Sequence, residues 1–248
     1  MSRDNKKDFN KQRFEDFAQK KLNYTFNNID LLIEALTHAS YANENSSNFV
    51  KDNERLEFLG DAVLSLCISE ALYADENNFT EGKMTKIRSL TVREESLVEV
   101  ANNLGLSKYL LFGQGEEKTG GRRKSSNSED AIEATIGAIF LDGGYEAARE
   151  FVLDKLKSVF TKAKSGKLIY DFKSKLFQVL QNEENMPNVD FRLINEEGPA
   201  HDKTFTVAVF YKDHLYPEAS SSSKKTAEQL AAKLFLENYQ NKNEEEGS

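Results

Sequence analysis

The chain has 248 residues, of which 39% are hydrophobic and 30% charged, so it is long enough to bury one large core or two smaller ones. Cys67 is the only cysteine, which excludes an internal disulfide framework and any zinc site built from several cysteines. The net charge of −8 argues against a generally basic nucleic-acid-binding surface. It leaves room for a local basic site.

Neither a membrane span nor a secretion signal is evident in the sequence. The longest mainly apolar run, Ala134–Leu141, is far shorter than the roughly 20 residues that cross a bilayer. The first residues, Met1–Lys7, are rich in charge and lack the apolar segment of a signal peptide. We therefore expect a cytoplasmic protein that has no membrane partner.

The first two thirds of the chain predict helices. Asn28 or Asp30 is placed to cap a helix whose apolar residues recur every three or four positions. Further predicted helices cover residues 53–73, 91–104 and 127–142. The last of these is expected to end at Gly143 and Gly144. The apolar stripe that follows, over residues 148–163, has the spacing of a buried helix face.

The last third of the chain has a different pattern, which begins after a short Lys-Ser-Gly segment. Its predicted elements are a helix at 171–181, strands near 189–193, 205–209 and 214–216, and a final helix at 224–239. The predicted organisation is an all-α domain at 10–162, a linker at 163–168, an α+β domain at 169–240 and a disordered acidic tail at 241–248.

Three acids, Glu54, Glu57 and Asp61, lie on one stripe of the second predicted helix. At about 100° per residue, Glu57 lies about 60° and Asp61 about 20° from Glu54 around the helix axis. Basic residues four positions away usually relieve such repulsion on a solvated face. Here Arg55 is the only base nearby, and it points away from the stripe.

A second pair of acids, Asp130 and Glu133, precedes an apolar run that must be buried. If the two helices face each other, this pair converges with Glu57 and Asp61. Two unit charges about 4 Å apart repel by roughly 4 kcal/mol at an effective dielectric of 20. Either some of the acids are protonated or a divalent cation lies between them, and oxygen-only ligands favour Mg²⁺ or Mn²⁺.

Ordinary structural explanations are also open for these residues. Asp130 fits the acidic position of a capping box that begins at Asn127. The stripe of Glu54, Glu57 and Asp61 fits a solvated helix face. Cys67, which follows in the same helix, is expected to be buried packing.

The string Asn53-Glu-Arg-Leu-Glu-Phe-Leu-Gly-Asp-Ala-Val-Leu64 resembles the signature of the ribonuclease III family nearly residue for residue. Other segments that match follow in the order that this family uses: Leu36-Thr-His-Ala-Ser-Tyr41, Gly82–Leu97, Gly113–Glu117, Gly120-Gly-Arg-Arg123 and Glu129–Asp142. In the last third, Glu197-Gly-Pro-Ala-His201 and Ser223–Ala232 resemble a double-stranded-RNA-binding domain. The resemblance to bacterial-type ribonuclease III covers about residues 14–240.

The resemblance implies an all-α endonuclease domain that forms a homodimer, followed by a small α+β double-stranded-RNA-binding domain of order α-β-β-β-α. It implies Mg²⁺ as cofactor, with Mn²⁺ as a possible substitute, held by Glu57, Asp61, Asp130 and Glu133. Asp61 and Glu133 match the pair named as catalytic, and Glu54 matches an outer acid of lesser role. Phe58 matches a dimer-interface position, although its spacing fits an ordinary core aromatic equally well.

The implied reaction is hydrolysis of double-stranded RNA to 5′-phosphate and 3′-hydroxyl ends with short 3′ overhangs. Ribosomal RNA precursors and structured messenger RNAs are the expected substrates. The alternative is a non-catalytic duplex-RNA-binding protein that keeps the fold for dimerisation or regulation. The four acids favour the enzyme, because a binding protein gains nothing from holding repelling carboxylates together.

The predicted RNA-binding domain carries more acidic than basic residues, so its binding must depend on local groups. Lys224 and Lys225 open the last helix, where ammonium groups and free N–H donors meet phosphates, although a solvated helix start is the plain alternative. His201, in the loop between the first two strands, and Gln178, on the first helix, are expected to contact the minor groove. Residues 122–124, with two arginines and a lysine, are further candidates for holding RNA in the nuclease valley.

Overall fold

The computed structural model describes residues 11–46, 50–166, 168, 171–182, 187–198, 203–212 and 214–246, with side chains to residue 239. These residues divide into two compact units, separated after Leu168. Across the described ranges, no helix combines the length and the apolar composition that a membrane span requires.

The first unit is built from helices, as predicted. They are α1 (residues 11–22, ending in a π-helical turn at Ala18–Leu22), α2 (Ile29–Ala35), α3 (Ala39–Glu44), α4 (Glu54–Tyr73), α5 (Glu81–Thr91), α6 (Glu94–Leu104), α7 (Gln114–Lys118), α8 (Ser125–Lys155) and α9 (Lys157–Lys164). The side chain of Asn28 accepts a hydrogen bond from the backbone N–H of Asp30 and so caps α2. This confirms the first of the two predicted caps.

Helices α4 and α8 form the centre of this unit. Leu64, Cys67 and Ile68 of α4 are fully buried, and so are Ile132 and Ile136 of α8. Burying a side chain of this size stabilises a fold by about 1.5–3 kcal/mol, so the two helices are held together by their apolar faces. Cys67 is a buried residue of this core, as expected.

Helix α8 is interrupted at the glycine pair that was predicted to end it. Gly144 has φ 78° and ψ −173°, a combination that only glycine adopts without strain. The helix resumes after this break, and the predicted apolar stripe then packs into the core through Ala148, Phe151 and Val152. The predicted stop at residues 143–144 is therefore confirmed as a break in the backbone.

The helix predicted at 91–104 begins three residues later than expected. Arg93 is extended, with φ −81° and ψ 158°, and α6 starts at Glu94. Two acids in the first turn, Glu94 and Glu95, favour this start because they face the positive end of the helix dipole. The preceding residues belong to a separate helix, α5, that the periodicity did not predict.

The second unit pairs two helices with one antiparallel sheet. Its elements are α10 (Phe172–Gln181), β1 (Val189–Glu197), β2 (Thr204–Tyr211), β3 (His214–Leu215), β4 (Ala219–Ser221) and α11 (Lys224–Glu246). Strand β2 is central and pairs with the other three. The third predicted strand, at 214–216, corresponds to β3. Strand β4, which follows Pro217, was not predicted.

The core of this unit lies between the sheet and the helices. Val207 and Val209 of β2 are fully buried, as are Leu176 of α10 and Phe235 of α11. Helix α11 continues to Glu246, so the tail predicted to be disordered at 241–248 is helical as far as that residue. A helix already nucleated by packing extends at low cost.

Candidate active site

Two glycines let α4 and α8 touch backbone to backbone. A Cβ added to Gly60 would lie 1.8 Å from the carbonyl oxygen of Glu133, and one added to Gly137 would lie 2.3 Å from the carbonyl oxygen of Leu56. No side chain fits at either position, so glycine is required there by close approach. The crossing places the residues beside Gly60 next to the residues of α8 that precede Gly137.

Four acids gather at this crossing: Glu57, Asp61, Asp130 and Glu133, called the acid cluster below. Burial raises the pKa of Glu133 to about 8, and the largest contribution from another charge is repulsion by Asp61. Burial raises the pKa of Glu57 as well, followed by repulsion from Asp130. Through-space repulsion of this kind requires closeness. The structure therefore brings the acids of the two predicted stripes together.

The members of the acid cluster differ in exposure. Glu133 is 9% exposed, whereas Asp61 is open to solvent. Burial also raises the pKa of Asp130, an effect that the nearby His38 opposes. Glu54 is exposed and adds to the repulsion on Glu57, which agrees with a place at the edge of the cluster. The cluster thus has a buried end at Glu133 and a solvent-exposed end at Asp61.

Within the described residues, no lysine or arginine forms an ion pair with any member of the acid cluster. Four mutually repelling carboxylates without a basic partner are a donor set that fits a hard divalent cation. In the same part of the chain, no three acidic, histidine or cysteine side chains already stand at ligand distance from one point. The donor chemistry fits Mg²⁺, while the coordination geometry is not preformed.

The capping-box explanation for Asp130 is wrong. Helix α8 begins at Ser125, so Asn127 lies inside the helix rather than at its N-cap. The Asn127 amide instead donates to the carbonyl oxygen of Gly121 at 2.9 Å. Asp130 consequently has no local capping role, and its position at the crossing needs another reason.

Three further acids belong to the surroundings of the cluster but were not predicted. Burial, followed by repulsion from Glu94 and Asp130, raises the pKa of Glu129 to about 7, and Glu95 contributes less. The only local signal was that Glu129 directly precedes Asp130. The approach of Glu94 and Glu95 depends on the packing of α6 against α8, which sequence spacing does not show.

Phe58 lies on the solvent side of α4. Its side chain is 83% exposed, and Leu66 and Tyr73 of the same helix are 55% and 85% exposed. At about 100° per residue the three lie within about 80° of one another around the helix axis. They form one exposed apolar stripe, called the α4 stripe below. Phe58 is therefore not a core aromatic in this chain.

The predicted RNA-contacting residues of the second unit are partly described. Lys224 and Lys225 are exposed at the start of α11, where the Ser223 hydroxyl accepts from the backbone N–H of Thr226. Gln178 is exposed on α10. His201 lies outside the described residues.

Two of the three basic residues at 122–124 already have protein partners. Arg122 donates to the Glu117 carboxylate and to the carbonyl oxygen of Ser107. Lys124 pairs with Glu116 at 2.8 Å. These contacts hold the loop before α8 in place, so of the three we keep only the exposed Arg123 as a candidate for contact with RNA.

Comparison with protein families matches both units. The family described as ribonuclease-III-like matches residues 28–159, and the double-stranded RNA binding motif matches residues 172–239. The first match covers the acid cluster and the glycine crossing. The second covers the sheet and both helices of the second unit.

Individual relatives agree with these matches. Ribonuclease 3 of Syntrophomonas wolfei is 45% identical over 226 residues, which are 91% of this chain and 94% of that protein. Ribonuclease 3 of Desulforamulus reducens is 46% identical over 213 residues, 86% of each chain. A crystal structure of the ribonuclease III nuclease domain from Campylobacter jejuni is 40% identical, covers 93% of its own chain and 58% of this one, and has a TM-score of 0.53.

Proposed function

This chain belongs to the ribonuclease III family, and we propose that it is a Mg²⁺-dependent endoribonuclease that cuts double-stranded RNA as a homodimer. The observation that carries the proposal is the convergence of the acid cluster at the glycine crossing of α4 and α8. Carboxylates held together without a basic partner are costly in a protein that only binds RNA. They are useful in one that places a divalent cation against a phosphate.

In this proposal Glu57, Asp61, Asp130 and Glu133 hold the ion. A bound Mg²⁺ lowers the pKa of water and neutralises charge on phosphate oxygens. The protein's own part is to keep the carboxylates in place: Glu133, at the buried end of the cluster, is 9% exposed and is surrounded by protein atoms that limit its side-chain positions. Asp61, at the solvent-exposed end of the cluster, is placed to accept a proton from the attacking water.

The bond changes define the products. A water oxygen bonds to phosphorus as the bond from phosphorus to the 3′ oxygen breaks, and the departing 3′ oxygen takes up a proton. The fragments therefore end in a 5′-phosphate and a 3′-hydroxyl. Two sites, one in each subunit, cut the two strands at an offset and leave short 3′ overhangs. Ribosomal RNA precursors and structured messenger RNAs are the proposed substrates.

The second unit supplies duplex binding in this proposal. Lys224 and Lys225 meet the phosphates at the start of α11, and Gln178 and His201 face the minor groove, where such modules read A-form shape rather than sequence. Because this unit makes few phosphate contacts in the proposal, its affinity for RNA should fall only shallowly as salt rises.

The α4 stripe is the proposed dimer contact. An exposed phenylalanine beside an exposed leucine and tyrosine on one helix is the composition of an interface core rather than of a solvated surface. A second structure of the Campylobacter jejuni nuclease domain is described as flexible in a region involved in dimer formation. A homodimer also places two acid clusters on one duplex.

The test is incubation of a long RNA duplex with the full chain and Mg²⁺. We expect the parent to cleave, Glu133→Gln to lose cleavage, and both to bind the duplex equally. Glu150→Gln is the matched control, because Glu150 is an exposed glutamate in the same helix beyond the Gly144 break. Intact RNA with folded parent protein would overturn the proposal in favour of a binding protein.

A further inference from the structure

The first turn of α8 is anchored by a side chain from within the helix. The N-cap residue, Lys124, makes no capping hydrogen bond through its side chain, and the first N–H groups of any helix lack partners inside it. Asn127 supplies a different attachment. It is 7% exposed, and its amide Nδ2 donates to the carbonyl oxygen of Gly121 at 2.9 Å. The start of the helix is therefore tied to the loop that precedes it.

The same amide nitrogen has a second acceptor. Nδ2 of Asn127 lies 3.4 Å from Oε1 of Glu116, the carboxylate oxygen that pairs with Lys124 at 2.8 Å. An amide nitrogen carries two hydrogens, one for each acceptor. The amide oxygen in that place would face two acceptors and find no donor, so the nitrogen faces the loop. A leucine has a similar shape but no N–H donor, and it cannot make these contacts.

The loop that carries these acceptors is itself held on both sides. A Cβ added to Gly121 would lie 2.7 Å from Cγ and 2.8 Å from Oε1 of Glu116, so the Glu116 side chain packs directly on the backbone at residue 121. At the start of α7, the backbone N–H of its N-cap residue, Gly113, donates to the Ser40 hydroxyl of α3 at 3.0 Å. Asn127 thus joins α8 to a segment that is already fixed to α3.

Asp130 depends on this attachment because it lies one turn after Asn127. The two residues are about 60° apart around the helix axis and about 4.5 Å apart along it. Helix ends fray unless something holds them, and repulsion between Asp130 and Glu57 acts to push this end of α8 away from α4. Asp130 keeps its place beside Glu57 only while the first turn stays closed.

We propose that Asn127 is a positioning residue of the acid cluster, which locks the first turn of α8 to the loop at Glu116 and Gly121 and so holds Asp130 in place. The inference rests on the proposed function, in which Asp130 holds the ion. Asn127 acts through the helix and touches neither ion nor substrate. Because its amide is neutral, it positions Asp130 without weakening the attraction of the cluster for a cation.

The variant that tests this is Asn127→Leu, which keeps the shape of the side chain and removes both donors. Asn127→Ala is the second variant, and it decides the question if the leucine variant does not fold. Asp142→Ala is the matched control, because it removes hydrogen bonds that hold a distant part of the same helix to Asn27 and Asn28. The control loosens the fold without touching the first turn of α8.

The first readout is hydrogen exchange in the metal-free protein. The backbone amides of Glu129 and Asp130 bond within the first turns of α8, so they should exchange about 5–10-fold faster in Asn127→Leu, the effect of losing one buried hydrogen bond. The same amides should exchange at the parental rate in Asp142→Ala. Parental exchange in Asn127→Leu would show that the side chain anchors nothing and would overturn the inference.

The second readout is titration of the protein with Mn²⁺ alone. We expect about 10–100-fold weaker binding to Asn127→Leu than to the parent, the usual cost of losing a group that positions a metal ligand, and a fall in kcat on duplex RNA of the same size. Asp142→Ala should bind Mn²⁺ as the parent does. Parental affinity in Asn127→Leu, or an equal loss in Asp142→Ala, would refute the positioning role.

These outcomes separate the two proposals. If the parent neither binds Mn²⁺ nor cleaves, the proposed function fails, while amide exchange still decides whether Asn127 anchors the first turn of α8. If the parent does both and Asn127→Leu matches it, only the inference about Asn127 fails.

Discussion

Replacement of Gly60 by alanine tests the glycine crossing directly. The added Cβ would lie 1.8 Å from the carbonyl oxygen of Glu133, whereas real Cβ atoms essentially never come closer than 3.0 Å to such an atom. The obstacle is helix backbone, so α4 and α8 must separate by about 1.2 Å at this point, in a core packed too closely to absorb the change. Overpacking of this kind costs about 3 kcal/mol or more, against a gain of about 1 kcal/mol in helix propensity.

The assay is urea unfolding followed by circular dichroism, with Gly82→Ala as the matched control. Gly82 lies in α5, and a Cβ added there meets nothing within 4 Å. The control should gain up to about 1 kcal/mol in free energy of unfolding, and Gly60→Ala should lose about 2–3 kcal/mol net. Cleavage by Gly60→Ala should fall by about 100-fold, because a displacement of about 1 Å between reacting groups has that effect. Equal stability of Gly60→Ala and the parent would refute the close contact.

Three other substitutions test separate features. Without metal, the pKa of Glu133 is about 8 in the folded state against 4.5 ordinarily, so the stabilisation from its bound proton is complete below pH 4.5 and is lost as pH rises through 8. The free energy of unfolding of Glu133→Gln should therefore exceed that of the parent by about 4 kcal/mol at pH 8 and nearly equal it at pH 4.5, measured by urea unfolding in EDTA. Phe58→Glu should convert the proposed dimer to a monomer, measured by light scattering, because a charge then lies in the α4 stripe. Asp142→Ala should lower the free energy of unfolding by about 2 kcal/mol, because its carboxylate accepts from the backbone N–H groups of Asn27 and Asn28 and from the Tyr24 hydroxyl.

Each of these has a matched control. The free energy of unfolding of Glu150→Gln should not rise above that of the parent as pH increases. A rise as large as that of Glu133→Gln would contradict the argument from burial. Leu215→Glu changes an exposed apolar residue of the second unit and should leave the mass unchanged; a dimeric Phe58→Glu would exclude the α4 stripe as the contact. Asp154→Ala removes an exposed carboxylate paired only with its neighbour Lys155 and should cost less than about 0.5 kcal/mol.

The convergence of the acids could be predicted because it depends on local periodicity. Glu57 and Asp61 are one turn apart, and so are Asp130 and Glu133, so each pair shares a helix face wherever the helix packs. The one additional assumption was that the two faces meet. Gly60 and Gly137 provide that meeting, and their role as contact points became visible only in the structure.

The environment of Glu129 and the anchoring of Ser40 could not be predicted in the same way. Glu129 is influenced by Glu94 through the packing of α6 on α8, a contact between residues far apart in the chain. The Ser40 hydroxyl accepts a hydrogen bond from the backbone N–H of Gly113, across 73 residues. Neither contact leaves a pattern in local spacing. Strand β4 was missed for a local reason: it has three residues, of which only Ala219 is apolar, so it shows no alternation.

The contact of Gly60 with the Glu133 carbonyl and of Gly137 with the Leu56 carbonyl involves peptide atoms only. The clearance between the two helices at the acids is therefore independent of the volume of any side chain. Substitutions that swell or shrink the surrounding apolar interior should tilt the far ends of α4 and α8 before they alter this clearance. Apolar residues of the core can thus be exchanged for others while the spacing of the carboxylates stays constant.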